Sequence, residues 1–335
     1  MWVRLKLIEL NFKHRTHLLK LSINFAAKDM NMIRPDYLQA GDSVIIVSTA
    51  RKVSKAEMKP AIDLLTSWGL NVQTGKNLYK FDNQFAGSDE ERAGDLQRAL
   101  NSKAKAILFA RGGYGTIRTI DAIDWKRFVK NPKWLIGYSD ISIIHSHVNR
   151  NCSIQTMHAP MAFNLAGLNS NCLSVLKETL FGNSLRYSSS KQQEHLEKLN
   201  RKGKAKGRLT GGNLSVLCSI SGSLSDMETE GKILFLEDLD EYLYHIDRMM
   251  MSLKRSGKLK GLAGLIVGGM SDMKDNEIPF GKTAEEIIHD AVKEYSFPVV
   301  YGFPAGHIPN NYPLILGSEV TLNVSEKMEL IFHNG

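Results

Sequence analysis

Ser139, Glu237 and His307 are the side chains of this sequence whose types and settings fit one reaction, nucleophilic attack on an acyl group. A serine hydroxyl becomes a useful nucleophile when a histidine takes its proton, and a carboxylate that orients the histidine completes the set. Ser139 follows the apolar run Trp134-Leu135-Ile136, where a buried strand turns into a helix. Such a turn pushes a side chain out of the sheet and aims the next amides at whatever it attacks. The helix N-terminus also favours developing negative charge. A plain helix N-cap is the other role a serine fills here. Glu237 closes the strand Ile233–Leu236, placed to orient a histidine without burial among apolar side chains; a surface acid would read the same way. His307 ends the stretch Tyr301-Gly302-Phe303-Pro304-Ala305-Gly306-His307, whose glycines and proline fix a loop. With an ordinary pKa of about 6.5, imidazole accepts and returns a proton near neutrality. A loop histidine without a role is the alternative.

Gly112 and Gly113 follow another strand end. Paired glycines let backbone amides approach an oxyanion or a substrate carboxylate, or simply make a tight turn. The segment is neither G-x-x-x-x-G-K-S/T nor a full G-x-G-x-x-G, so no nucleotide site is expected. His145 and His147 are two residues apart, not four, and H-E-x-x-H is absent, so no metal is expected. His158 reads as structural or pocket-lining. Three cysteines, Cys152, Cys172 and Cys218, form no C-x-x-C pair and suit a reducing, cytoplasmic setting.

The elements that must hold these residues alternate. Val44–Val47, Ala106–Phe109 and Trp134–Ile136 are short buried strands. Helices are expected at 55–68, weakened at first by Pro60, and from the capping box Ser88/Glu91 to about residue 101. This pattern predicts a parallel sheet with crossover helices, whose ligands bind beyond the strands' carboxyl ends. Around 183–208 a Ser-, Lys- and Gln-rich stretch reads as a linker. New strands follow at 233–236, 264–267, 299–301 and 320–322, with helices near 240–256 and 283–294. The expected class is α/β: an N-terminal α/β domain over 32–182, a linker over 183–208, and a smaller mixed domain over 209–335. Residues 1–31 form a basic extension, either a loose tail or a surface-binding amphipathic helix.

The 335-residue chain is 43% hydrophobic and carries a formal charge of +8. Residues 1–31 and 191–208 hold that excess and leave the remainder close to neutral. Basic charge confined to a tail and a linker argues against nucleic-acid binding. No apolar run is long enough to span a bilayer.

Seven stretches, in order, resemble the LD-carboxypeptidase family of serine peptidases: Arg111–Gly115 (RGGYG), Trp134–Ser142 (WLIGYSDIS), His158–Met161 (HAPM), Thr210–Ser215 (TGGNLS), Leu234–Asp240 (LFLEDLD), Tyr244–Met249 (YHIDRM) and Gly302–His307 (GFPAGH). The resemblance implies a triad of Ser139, Glu237 and His307, with oxyanion-hole amides from Gly113 and Asp140. It also implies two domains with the site in the cleft between them, a homodimer, and removal of terminal D-alanine from cytoplasmic muropeptide tetrapeptides in peptidoglycan recycling. Arg111, Gly112 and Asn213 are candidates for holding the substrate, Arg111 through its terminal carboxylate. No metal or organic cofactor is implied. Two other readings remain open: an immunity peptidase cleaving microcin C-type peptidyl nucleotides, and a non-catalytic binding protein. The immunity branch needs an aromatic ring to stack on the base. Trp2, Trp68, Trp125 and Trp134 all precede the region between the domains, which leaves Tyr187. An α/β-hydrolase esterase is disfavoured because Ile141 stands where G-x-S-x-G needs its second glycine.

Overall fold

Apolar strands buried on both faces need helices on either side, and this demand sets the first half of the computed structural model, which describes residues 32–189 and 194–333. The extension over 1–31 lies outside the described residues. Strands β1 (Ser43–Val47), β2 (Asn71–Thr74), β3 (Ala106–Phe109), β4 (Trp134–Gly137) and β5 (Thr156–His158) alternate with helices α1 (Lys55–Ser67), α2 (Asp89–Asn101), α3 (Lys126–Lys130) and α4 (Ser142–Asn151). Both α1 and α2 open with complete capping boxes, Ser54/Glu57 and Ser88/Glu91. Pro60 sits inside α1 without ending it. Helix α5 (Ser170–Leu180) closes this half.

The second half comprises β6 (Arg186–Ser189), α6 (Glu194–Glu197), β7 (Gly203–Asn213), α7 (Leu214–Ser219), β8 (Ile233–Leu239), α8 (Leu243–Arg255), β9 (Gly264–Ser271), α9 (Ala284–Val292), β10 (Val299–Val300), β11 (Leu314–Leu316), β12 (Glu319–Val324) and β13 (Met328–Phe332). The first sheet has the order β11-β5-β4-β3-β1-β2 and the second β10-β9-β8-β7-β12-β13-β6. The first is parallel except at its edge, where β11 runs antiparallel to β5. The second is parallel from β7 to β10 and antiparallel across β12, β13 and β6.

The described residues of 183–208 hold more order than their polar composition suggests. Arg186–Ser189 pairs with β13, and Gly203–Arg208 pairs with β12 before the same strand continues beside β8. Apolar packing is continuous between the halves: Ile141, Ile143 and Ile144 share one buried cluster with Leu214, Leu217 and Leu236. Among the described residues no helix is long and apolar enough to cross a membrane.

Candidate active site

Strand β4 ends at Gly137, Tyr138 is extended, and Ser139 then adopts φ = 64°. A non-glycine residue in that left-handed region costs about 1–2 kcal/mol. A single 3-10 turn, Ser139–Ile141, leads into α4. The cap positions belong to Tyr138 and Ile141, and neither end uses a side-chain cap, so Ser139 is not a helix N-cap. The strained turn is tied down on several sides. The buried Asp140 carboxylate accepts the Thr116 amide at 2.8 Å, which links the turn to the segment just after the glycine loop. Burial raises the Asp140 pKa, and bonds from the Thr116 side chain and amide oppose the rise. A ring nitrogen of His145 pairs with the Gly137 carbonyl at 2.8 Å. Burial depresses the His145 pKa to about 4, so this imidazole is neutral at neutral pH. Gly112 lies against the serine: a Cβ there would stand 3.1 Å from Ser139 Oγ.

Glu237 comes from the centre of the second sheet. Strand β8 continues past Leu236 to Leu239, so the acid is completely buried rather than left at an open strand end. This corrects the sequence expectation. The physical reason is a register shift between Leu236 and Asp238, a bulge that re-aims Glu237 while pairing resumes beyond it. Glu237 Oε2 accepts two bonds from His307, the backbone amide at 3.1 Å and ring Nδ1 at 2.7 Å. With Nδ1 donating, Nε2 is the free basic nitrogen. This approach requires glycine at 306, whose φ is +108° and whose hypothetical Cβ would meet Glu237 Oε2 at 2.7 Å. Burial by itself would lower the His307 pKa. The Glu237 charge and hydrogen bond, with Asp238 behind them, outweigh it and leave the pKa above 6.5. The His307 ring centroid is 4.7 Å from that of Tyr138, the residue preceding Ser139. The structure therefore brings the serine turn and the Glu–His pair to one place where the sheets meet.

Asp238 and Ser142 were missed from sequence. Asn213 is the hub that joins them. Its amide nitrogen Nδ2 donates to Asp238 Oδ1 at 2.8 Å, its Oδ1 accepts from Val216 N and Ser215 Oγ, and its backbone N–H donates to Ser142 Oγ at 3.0 Å. Asn213, expected to touch substrate, thus has both side-chain ends engaged inside the protein. Burial, then the neighbouring Glu237 charge, pushes the Asp238 pKa up to about 7. The only signal for this bridge was the TGGN stretch itself.

Arg111 is also engaged: its guanidinium lies 3.5 Å from the Glu57 carboxylate and 4.0 Å above the Phe163 ring. His158 is fully buried between Tyr138 and Phe235, as a structural histidine would be. Tyr187 donates its hydroxyl to the Pro313 carbonyl and packs on Phe303, Tyr312 and Phe332, so its ring serves the core.

Two joined α/β halves bring a serine at a strained strand-to-helix turn near a buried carboxylate–histidine pair, through the contact of Tyr138 with His307. Residues 44–159 match the LD-carboxypeptidase N-terminal domain and residues 206–322 the LD-carboxypeptidase C-terminal domain. The chain belongs to the LD-carboxypeptidase family and is a peptidase. A probable murein peptide carboxypeptidase of Bacillus subtilis is 33% identical over 301 residues, covering 89% of this chain and 94% of the relative. The crystal structure of muramoyltetrapeptide carboxypeptidase from Oxalobacter formigenes superimposes with a TM-score of 0.79 at 26% identity, covering 87% of this chain and 99% of the other. The structure of MccF in complex with glutamyl sulfamoyl guanosine shares the fold, with a TM-score of 0.80 at 20% identity, covering 91% and 99%.

Proposed function

We propose that this peptidase is a serine-type LD-carboxypeptidase that removes the terminal D-alanine of muropeptide tetrapeptides, with Ser139 as nucleophile, His307 as base and Glu237 as the residue that orients it. The observation that carries the reading is the 2.7 Å bond between His307 Nδ1 and the buried Glu237, set beside the strained turn of Ser139. His307 Nε2 takes the Ser139 proton as Oγ attacks the scissile carbonyl. The amides of Gly113 and Asp140 receive the oxyanion. Collapse breaks the C–N bond, and the leaving D-alanine amine takes the proton from His307. Water, deprotonated by the same imidazole, then releases the acyl group from Ser139. Asp238, Asn213 and Ser142 act behind these residues, as a brace between the turn and the acid.

The names of the relatives support a murein peptide as substrate. Peptidoglycan recycling in the cytoplasm, by a homodimer, completes the reading, and three unpaired cysteines suit a reducing compartment. The packing of Tyr187 on Phe303 and its bond to Pro313 favour the muropeptide reading over the peptidyl-nucleotide one.

The test is D-alanine release from L-Ala-γ-D-Glu-meso-diaminopimelate-D-Ala by the wild type and by Ser139→Ala. Release by the wild type with at least a ~10⁴-fold loss in the variant supports the reading. Equal release by both would remove Ser139 from the mechanism. No release by either would reject this substrate class.

A further inference from the structure

We infer that Arg51 recognises the free terminal carboxylate of the peptide, across the Gly112–Gly113 loop from Ser139. This deepens the carboxypeptidase reading and rests on it. A carboxypeptidase must distinguish a chain end from an internal bond, and the distinguishing group is one negative charge. A guanidinium suits it, through two parallel charge-assisted hydrogen bonds.

The glycine loop has a different neighbour at each of its two positions. A Cβ on Gly112 would meet Ser139 Oγ at 3.1 Å, whereas a Cβ on Gly113 would meet Arg51 Nε at 2.6 Å. The Arg51 side chain therefore lies over Gly113, whose φ of +107° and missing side chain make the close approach feasible. The Arg51 backbone N–H also points to the Gly112 carbonyl, at 3.4 Å. The serine and the Arg51 side chain thus lie against adjacent residues of one loop. In the substrate, the terminal carboxylate likewise stands one residue beyond the scissile carbonyl, roughly 3–4 Å away. Arg51 thus offers a cation one loop residue away from the position that contacts the serine.

Charge accounting favours Arg51 over Arg111. Arg111 already has Glu57 and the Phe163 face. Arg51 is solvent-exposed, and among the described residues its guanidinium has no carboxylate partner. It follows β1 at a carboxyl end of the parallel sheet, on the same side as the turns after β3 and β4.

The experiment compares the tetrapeptide with its C-terminal amide, in wild type, Arg51→Ala, Arg51→Lys and Arg111→Ala, following release of D-alanine or D-alaninamide. Wild type is expected to favour the acid by about 100-fold in kcat/KM. Arg51→Ala should lose about that factor on the acid, mainly through KM, and stay within about threefold of wild type on the amide. Arg51→Lys should restore part of the preference, and Arg111→Ala should keep it. Equal losses on both substrates in Arg51→Ala would mark a structural role, and no loss on the acid would exclude recognition; either overturns the inference. Wild-type turnover of the amide stands without any carboxylate contact, so the muropeptide-carboxypeptidase reading is judged separately. Its absence on both substrates would reject that reading and this inference with it.

Discussion

The two sheets hold the groups of the proposed triad by different means. On the first, the position of Ser139 is written in the backbone: a φ of 64° at the end of β4, with Asp140 and His145 bonding to main-chain groups around it. On the second, position is written in side-chain bonds, since Glu237 and His307 are fixed by each other and by the glycine that lets them meet. Backbone placement tolerates side-chain changes but stores strain. Bonded placement stores none, and it fails when a single partner changes.

The largest effect should come from the bonded side. Glu237→Gln keeps the shape but loses the charge that orients the imidazole, and kcat should fall about 10³–10⁴-fold with far-UV dichroism unchanged. The base works when neutral, so activity rises as pH climbs through the His307 pKa, which lies above 6.5 in the wild type. Without the Glu237 charge, burial dominates and that pKa drops, so the residual activity should rise at lower pH. A limb that stays put or moves upward would mean Glu237 does not set the base. Gly306→Ala comes next. It adds a methyl into Glu237 and strains a positive φ, with an expected ~10²-fold loss of kcat and about 1–3 kcal/mol of stability. Near-normal kinetics there would show that the pair adjusts and that the contrast between the sheets is overstated. The smallest effect tests the backbone side. Ser139→Gly removes the proposed nucleophile but relieves the turn, so denaturant unfolding should show about 1 kcal/mol of added stability. Unchanged or reduced stability would remove strain as the device on the first sheet.

Much of the first half was legible because its signals are local. Capping boxes, short β-branched runs and a strand-to-glycine junction each act within a few residues, and Ser139 stood out at one of them, although the same residues also read as a helix N-cap and its triad role came from the family resemblance. The second half depends on distant pairing. Arg186–Ser189 looked like linker because its partner, β13, comes about 140 residues later, and its alternating polar pattern suits an edge strand as well as a loop. Glu237 looked like the end of a strand because a bulge cannot be seen in Leu-Glu-Asp-Leu. Asn213 was found through its motif but assigned outward, whereas its hydrogen bonds point inward. Arg51 went unnoticed because a single arginine in a loop has no spacing to betray it; only its position over Gly113 does.

The short strand β11 gives the loop of His307 an unusual anchorage. The loop leaves β10 at the edge of the second sheet and ends in β11 at the edge of the first. The loop of His307 is therefore slung between the two halves like a tie-rod, and any motion that parts the sheets must pull on it. The arrangement is an interlock. A growing chain whose ribosome has not yet delivered residues 314–316 presents Ser139 on a sheet still missing its edge. The first sheet is therefore completed only by residues that lie beyond His307 in the sequence, and the stretch that carries this histidine doubles as the strap between the sheets.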